Sequence, residues 1–361
     1  MHHTKPIDLG SFRFRPRPER QVRASGRRVR EWVRARGLTG SPESYDWFCL
    51  WDTAHLVGNC YPHAVPGPGM DLAGRMTAVT ILLDDQIDES ASVGACVEAI
   101  APFLDIVRTG GEEVPRASRP LHHAFAEVLR DSRARASDIW WRRAAGNWEA
   151  SLISVAHETL NRTLREGPAP YDVFLETRHG SGYMGPFLDI LEPAASLEAP
   201  ALAYYSPQLL LMRRIVEDLG SFVNDVFSAE KETVRGQYDN LVLVLRERGN
   251  TTLEEATRQA LEIIRERVRR FLALRAELPT VCARLGLSPA ETRRGLRYAD
   301  ALEMWVAGLE PWHRTSPRYT QALARRPKDV AWAHEDLLGG REAPPGRRAL
   351  GGRPPGATSG R

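Results

Sequence analysis

Apolar residues recur along this chain at intervals of three and four, the spacing that lays one hydrophobic stripe along a helix. Residues 253–274 carry it most plainly, with Leu253, Ala256, Ala260, Ile264, Val268, Phe271 and Leu274 on one face. Thr251 with Glu254 reads as a capping box for that helix, just after the breaker pair Gly249-Asn250. Ser288-Pro289 with Glu291, and Ser206-Pro207, mark two further starts, each with proline at the first helical position. Gly/Pro breaks such as Pro66-Gly67-Pro68-Gly69 and Gly167-Pro168 separate the helical stretches. No stretch alternates convincingly with the period of two that a half-buried strand needs, and no internal repeat emerges. The pattern predicts an all-α protein.

Composition adds limits. With 361 residues, 42% of them hydrophobic, the chain can bury a large core in one big domain or two ordinary ones. Residues 339–361 hold seven glycines, four prolines and five arginines, too little apolar surface to offset the entropy of ordering them. The expected layout is an N-terminal arm over 1–25, one helical domain over 26–335 and a disordered tail over 336–361. A net charge of +3 calls for no polyanion, although residues 12–36 set ten arginines against Glu19 and Glu31. We read that segment as a solvated arm and helix face, partly packed through Trp32 and Val33, with no nucleic-acid partner. Cys49, Cys60, Cys96 and Cys282 show no CxxC spacing and no clustering with histidine, which fits a reducing cytoplasm. Residues 1–10 lack the apolar core of a secretion signal, and no apolar run approaches the roughly 18 residues of a membrane span. Cytoplasmic localisation is expected; monomer and homodimer both fit.

Two polar motifs carry the chemistry. The first, Asp84-Asp85-Gln86-Ile87-Asp88-Glu89, follows the apolar run Val79, Ile81, Leu82, Leu83, so its carboxylates sit at the end of a buried helix. Asp84 and Asp88 are i, i+4 neighbours that repel each other unless a cation lies between them. Hard oxygen ligands of this kind suit Mg²⁺, which takes one or two carboxylates together with substrate phosphate oxygens. Acidic helix ends are also common without any metal, and the motif alone leaves both readings open.

The second motif is Asn224-Asp225-Val226-Phe227-Ser228-Ala229-Glu230-Lys231-Glu232. Steps of four residues keep Asn224, Ser228 and Glu232 on one helical stripe, drifting about 80° in all. An amide oxygen, a hydroxyl and a carboxylate can hold a divalent cation with little net charge, leaving positive character to grip a diphosphate. Lys231 stands beside them as a point charge for a phosphate oxygen. An ordinary polar helix face is the competing explanation.

With these residues in view, the chain closely resembles the microbial, bacterial-type class I terpene synthases, a terpene cyclase family. Asp84 to Asp88 matches that family's DDxxD motif, and Asn224 to Glu232 matches its NDxxSxxKE motif without a departure. The segment from Trp305 through Gly308, Trp312 and Thr315 to Arg318-Tyr319 resembles its C-terminal signature. Arg178 lies 46 residues before Asn224, the place of the family's diphosphate-sensing arginine. The matches run from about Trp32 to Tyr319.

The resemblance implies a single helical bundle around an apolar cavity, and three Mg²⁺ ions. Asp84 would bridge two of them with Asp88 as a further ligand, and Asn224, Ser228 and Glu232 would hold the third. Asp85 would pair with an arginine such as Arg318. Arg178, Lys231, Arg318 and Tyr319 would hydrogen-bond the diphosphate of a prenyl diphosphate substrate. Gly182 matches the effector glycine whose carbonyl faces the reacting allyl group, while Ser181 stands where the family often has an acidic linker. The segment Arg178-His179-Gly180-Ser181-Gly182 also has a reading of its own. Two glycines destabilise a helix by roughly 1 kcal/mol each relative to alanine, and a break there frees carbonyls to face a cavity; a plain kink competes.

The implied reaction ionises a prenyl diphosphate, farnesyl diphosphate above all, and cyclises the cation to a sesquiterpene with release of diphosphate. Monoterpene and diterpene cyclases of the same family are the alternatives. A chain-elongating prenyltransferase would need a second aspartate-rich motif where Asn224, Ser228 and Glu232 stand. A non-catalytic basic helical binding protein is the rival from another class. Trp305 is the expected aromatic wall residue. The helix before the aspartates departs from the family by carrying Ala78, Ile81 and Leu82 where aromatics are frequent, which turns attention to Phe48, Trp51, Phe187 and Phe222.

Overall fold

The computed structural model describes residues 7, 9, 11–87, 90, 92–164, 167–235, 238–320 and 337–338. Asp88 and most of the expected tail, together with its boundary at 335, lie outside them. Among the described residues the chain forms helices and no strand. The first six are α1 (Glu19–Ala35), α2 (Pro42–Leu50), α3 (Thr53–Cys60), α4 (Pro68–Ile87), α5 (Val93–Arg108) and α6 (Pro120–Arg133). Next come α7 (Asp138–Leu164), α8 (Tyr171–Ser181), α9 (Met184–Asp189), α10 (Leu191–Ala195) and α11 (Ala201–Tyr204). The last are α12 (Pro207–Arg235), α13 (Leu241–Gly249), α14 (Leu253–Arg284), α15 (Pro289–Thr315) and α16 (Pro317–Thr320).

The helix starts read from proline hold: Pro207 opens α12 and Pro289 opens α15, the latter with the Ser288–Glu291 capping box formed in both directions. The box in front of α14 is one residue later than expected, being Thr252 with Glu255 rather than Thr251 with Glu254. Thr251 is engaged elsewhere. Asn250 adopts a left-handed φ of 47° that ends α13, and the Thr251 N–H then closes on the Arg246 carbonyl at 3.1 Å. The stripe Ala256, Ala260, Ile264, Val268, Phe271 and Leu274 is buried, with Leu253 at its half-buried edge.

Helix α4 is buried on nearly every side, between α1, α3, α6 and α10, which explains its lack of a polar face. Its buried Thr77 and Thr80 turn their hydroxyls onto the carbonyls of Ala73 (2.8 Å) and Met76 (2.9 Å), so polar atoms are satisfied within the helix. Helix α12 packs on α13, α14 and α15 and touches α8 and α9. Helix α7 packs on α5, α8 and α9. The basic N-terminal segment is anchored: Phe12 meets Phe271 edge-on at 5.0 Å, and Arg13 pairs with Asp300 (2.5 Å) and buried Glu303 (2.8 Å). Val33 is fully buried and Trp32 partly so. No helix among the described residues is long and apolar enough to cross a membrane.

Candidate active site

One cavity gathers most of the residues singled out above. Asp84, Arg178, Gly182, Asn224, Ser228, Lys231, Glu232, Trp305, Arg318 and Tyr319 all line it. They arrive from α4, α8 and its C-cap Gly182, α12, α15 and α16, so no two neighbouring helices could have built the site alone.

At the end of α4 the two aspartates part company. Asp84 faces the cavity. Asp85 is buried behind it, where its carboxylate accepts hydrogen bonds from Trp47 Nε1 at 3.3 Å and Arg318 Nη2 at 3.5 Å. This is the arginine pairing expected for Asp85. The guanidinium of Arg318 also lies over an aromatic face, its Cζ 3.3 Å from the Trp51 ring centre.

Across the cavity, α12 presents Asn224, Ser228 and Glu232 on one stripe. Asn224 Nδ2 donates to the Tyr319 hydroxyl at 2.9 Å and approaches His313 Nε2 at 3.4 Å. His313 Nδ1 donates to the Leu309 carbonyl at 2.8 Å, which assigns the tautomer and leaves Nε2 as acceptor. Burial pushes the His313 pKa down to about 4, so the ring is neutral. Asn224 Oδ1 accepts from Arg178 Nη2 at 3.3 Å, and the same nitrogen pairs with Asp225 at 2.6 Å. Burial works against the Arg178 charge, but Asp225, Glu158 and Glu232 outweigh it and hold the guanidinium charged.

The α8–α9 junction is a true break rather than a kink. Helix α8 ends at Ser181, and Tyr183 adopts φ 55° before α9 begins at Met184. The turning residue is therefore Tyr183 and neither of the glycines. Gly180 has another reason to be glycine, since a Cβ there would collide with the Ser154 side chain of α7. Four residues after Gly182 stands Pro186, which has no N–H, so the Gly182 carbonyl has no helical donor at that spacing.

Other lining residues are apolar or aromatic. Trp305 and Phe187 lie with ring centres 6.4 Å apart, and Tyr61 hydrogen-bonds the Phe187 carbonyl at 3.0 Å. Gly220 lets this wall close, because a Cβ there would sit 2.7 Å from Met184 Sδ and 2.9 Å from Trp305 Cζ3. Of the four other aromatics considered, Trp51 and Phe187 line the cavity, whereas Phe48 and Phe222 are buried core residues outside its lining.

Sequence reasoning missed several residues here. Glu158, Arg162 and Asp239 join the polar part of the lining. Burial, reinforced by the Glu158 charge, pushes the Asp239 carboxyl well above the ordinary carboxylate range. Asn240, fully buried, caps α13 and bonds back to α12 through Glu232 Oε2 (2.8 Å) and the Asp225 carbonyl (2.9 Å). An asparagine before the apolar run Leu241–Leu245 is legible as a helix cap, but its bonds to α12 are not.

The chain is similar to known proteins in both sequence and fold. Residues 75–270 match the family model described as terpene synthase family 2, C-terminal metal binding. A 7-epi-alpha-eudesmol synthase ((2E,6E)-farnesyl diphosphate cyclizing) of Streptomyces viridochromogenes is 30% identical over 313 residues, which span 85% of this chain and 89% of that protein. The crystal structure of a-eudesmol synthase superposes with a TM-score of 0.76 at 26% identity, over 84% of this chain and 98% of that one. The linalool/nerolidol synthase from Streptomyces clavuligerus, in complex with 2-fluorogeranyl diphosphate, gives a TM-score of 0.74 at 28% identity, over 83% and 100% of the two chains.

Proposed function

This chain belongs to the bacterial class I terpene synthases and is a terpene cyclase, and within that family we propose that it converts farnesyl diphosphate to a cyclic sesquiterpene with release of diphosphate. The observation that carries the reading is a cavity whose lining combines oxygen ligands and cationic donors with apolar and aromatic side chains. The name of the Streptomyces viridochromogenes relative supports the choice of farnesyl diphosphate.

The donor set fits Mg²⁺. Asp84 on one side, and Asn224, Ser228 and Glu232 on the other, offer hard oxygen atoms and no sulfur or nitrogen ligand. We assign Asp84 and Asp88 to hold two ions and the α12 stripe to hold a third. Bound magnesium supplies stabilisation of the negative charge that develops on the departing diphosphate. Arg178, Lys231, Arg318 and Tyr319 donate hydrogen bonds to the diphosphate in this assignment, adding to that stabilisation. Arg178 exchanges its bonds to Asp225 and Asn224 for bonds to the substrate. The Gly182 carbonyl, short of a helical donor, turns its dipole toward the allylic carbon. Trp305 and Phe187 shield the hydrocarbon chain from water, and their ring faces attract positive charge.

A second reading is turnover of the shorter geranyl diphosphate, favoured by the solved structure that holds a fluorinated geranyl diphosphate. Purified protein incubated separately with geranyl, farnesyl and geranylgeranyl diphosphates, with Mg²⁺ or with EDTA, decides between them by gas chromatography–mass spectrometry. A cyclic C15 product from farnesyl diphosphate, formed with Mg²⁺ alone, supports the proposal. Products from geranyl diphosphate only would move the reading to the shorter substrate.

A further inference from the structure

We propose that Asn240, outside both acidic motifs, is a positioning residue that sets the Ser228 and Glu232 oxygens for a divalent cation; this rests on the reading of Asn224, Ser228 and Glu232 as ligands.

Asn240 is fully buried between α12 and α13. Its Oδ1 accepts the backbone N–H groups of Val242 at 2.8 Å and Leu243 at 3.4 Å. Two donors on that side assign the amide orientation, so Nδ2 faces α12. There it donates to Glu232 Oε2 at 2.8 Å and to the Asp225 carbonyl at 2.9 Å, and it lies 3.3 Å from Ser228 Oγ. Leu241 adds a parallel tie, its N–H reaching Asp225 Oδ2 at 2.8 Å. One amide thus touches two of the three proposed ligands and joins them to the first turn of the next helix.

Capping alone does not explain this arrangement. A cap needs only an oxygen, which serine, threonine or aspartate supplies as well. The Nδ2 bonds contribute nothing to capping; they fix the Glu232 carboxylate by one oxygen and leave the other for a cation. A neutral donor suits that task, because an arginine or lysine in the same place would cancel the charge that the cation requires. Partners that orient ligands in this way typically change metal affinity by about 10- to 100-fold when removed.

The test is isothermal titration calorimetry of Mg²⁺ into full-length protein with inorganic diphosphate present, for wild type, N240S and N240T, with melting temperatures recorded without metal. Either hydroxyl retains the cap oxygen but is too short to reach Glu232. The expected result is a Mg²⁺ dissociation constant raised about 10- to 100-fold in N240S, with a metal-free melting temperature close to wild type. If N240S melts far below wild type, N240T gives the same comparison. A folded variant that binds Mg²⁺ as tightly as wild type overturns the proposal and leaves the ligand reading standing. Wild-type protein that binds no Mg²⁺ overturns the ligand reading, and the proposal with it.

Discussion

The guanidinium of Arg318 lies 3.3 Å over the centre of the Trp51 ring. The ring supports the cation from one side, while Asp85 accepts from Arg318 Nη2 at 3.5 Å. Arg318 and Trp51 both line the cavity. The same contact covers one face of Trp51, so in the proposed assignment this ring serves the diphosphate end of the site more than the carbocation.

Replacing Trp51 with leucine should therefore weaken diphosphate binding without changing which product forms. A desolvated cation–π contact is worth about 1–2 kcal/mol, which corresponds to roughly a five- to thirtyfold rise in KM. W51F should fall between wild type and W51L. Steady-state kinetics combined with product analysis checks this; a changed product spectrum at unchanged KM would place Trp51 on the hydrocarbon wall instead.

The ligand assignment predicts that Asn224→Ala and Ser228→Ala each lower turnover by about 100-fold or more, the scale of losing an electrostatic stabiliser of the leaving group. Both should shift the Mg²⁺ dependence to higher concentration while leaving the metal-free melting temperature near wild type. Product formation measured across a Mg²⁺ titration tests this. Variants that lose activity at an unchanged Mg²⁺ requirement would argue against metal ligation.

Gly180 offers a test of packing apart from chemistry. A Cβ there meets the Ser154 side chain on α7, and overpacking of this sort typically costs about 1–3 kcal/mol. G180A should lower the melting temperature, and the double variant with Ser154→Gly should recover most of the loss. A G180A protein as stable as wild type would mean that α7 and α8 shift apart freely.

The cavity residues legible in the sequence share a common trait. Asn224, Ser228 and Glu232 are bound together by local helical spacing, and Asp84 follows an apolar run that buries its helix. Arg178 and the Arg318-Tyr319 pair came through a resemblance, since nothing local ties them to a diphosphate. What escaped was cross-helix contact. His313 reaches Asn224 across 89 positions, and the Asn240 amide turns back to α12 only because α13 folds against it. The one-residue slip at the α14 cap has a similar origin: the left-handed Asn250 uses Thr251 to finish the preceding helix, which sequence spacing alone does not reveal. Likewise Tyr183, not a glycine, carries the positive φ at the α8–α9 break, a conformation imposed by packing against local preference.

The last prediction concerns pH and lies away from the cavity. His122 is buried beneath α5, edge-on to Phe103 at 4.6 Å, and its Nδ1 accepts the Arg119 backbone N–H at 3.0 Å at the start of α6. A proton on Nδ1 would abolish that cap. Burial, aided by the charges of His123 and Arg119, pushes the His122 pKa down to about 4 from an ordinary value of 6.5. Between those values the unfolded chain binds the proton and the folded chain does not, so the contribution to stability is whole above pH 6.5 and is lost as pH falls toward 4. Glutamine at this position keeps an acceptor for the capping box and removes the titration. H122Q should therefore lose less melting temperature than wild type between pH 7 and pH 5, measured by differential scanning calorimetry in matched buffers. Equal losses in the two proteins would show that His122 takes up its proton without opening the turn it caps.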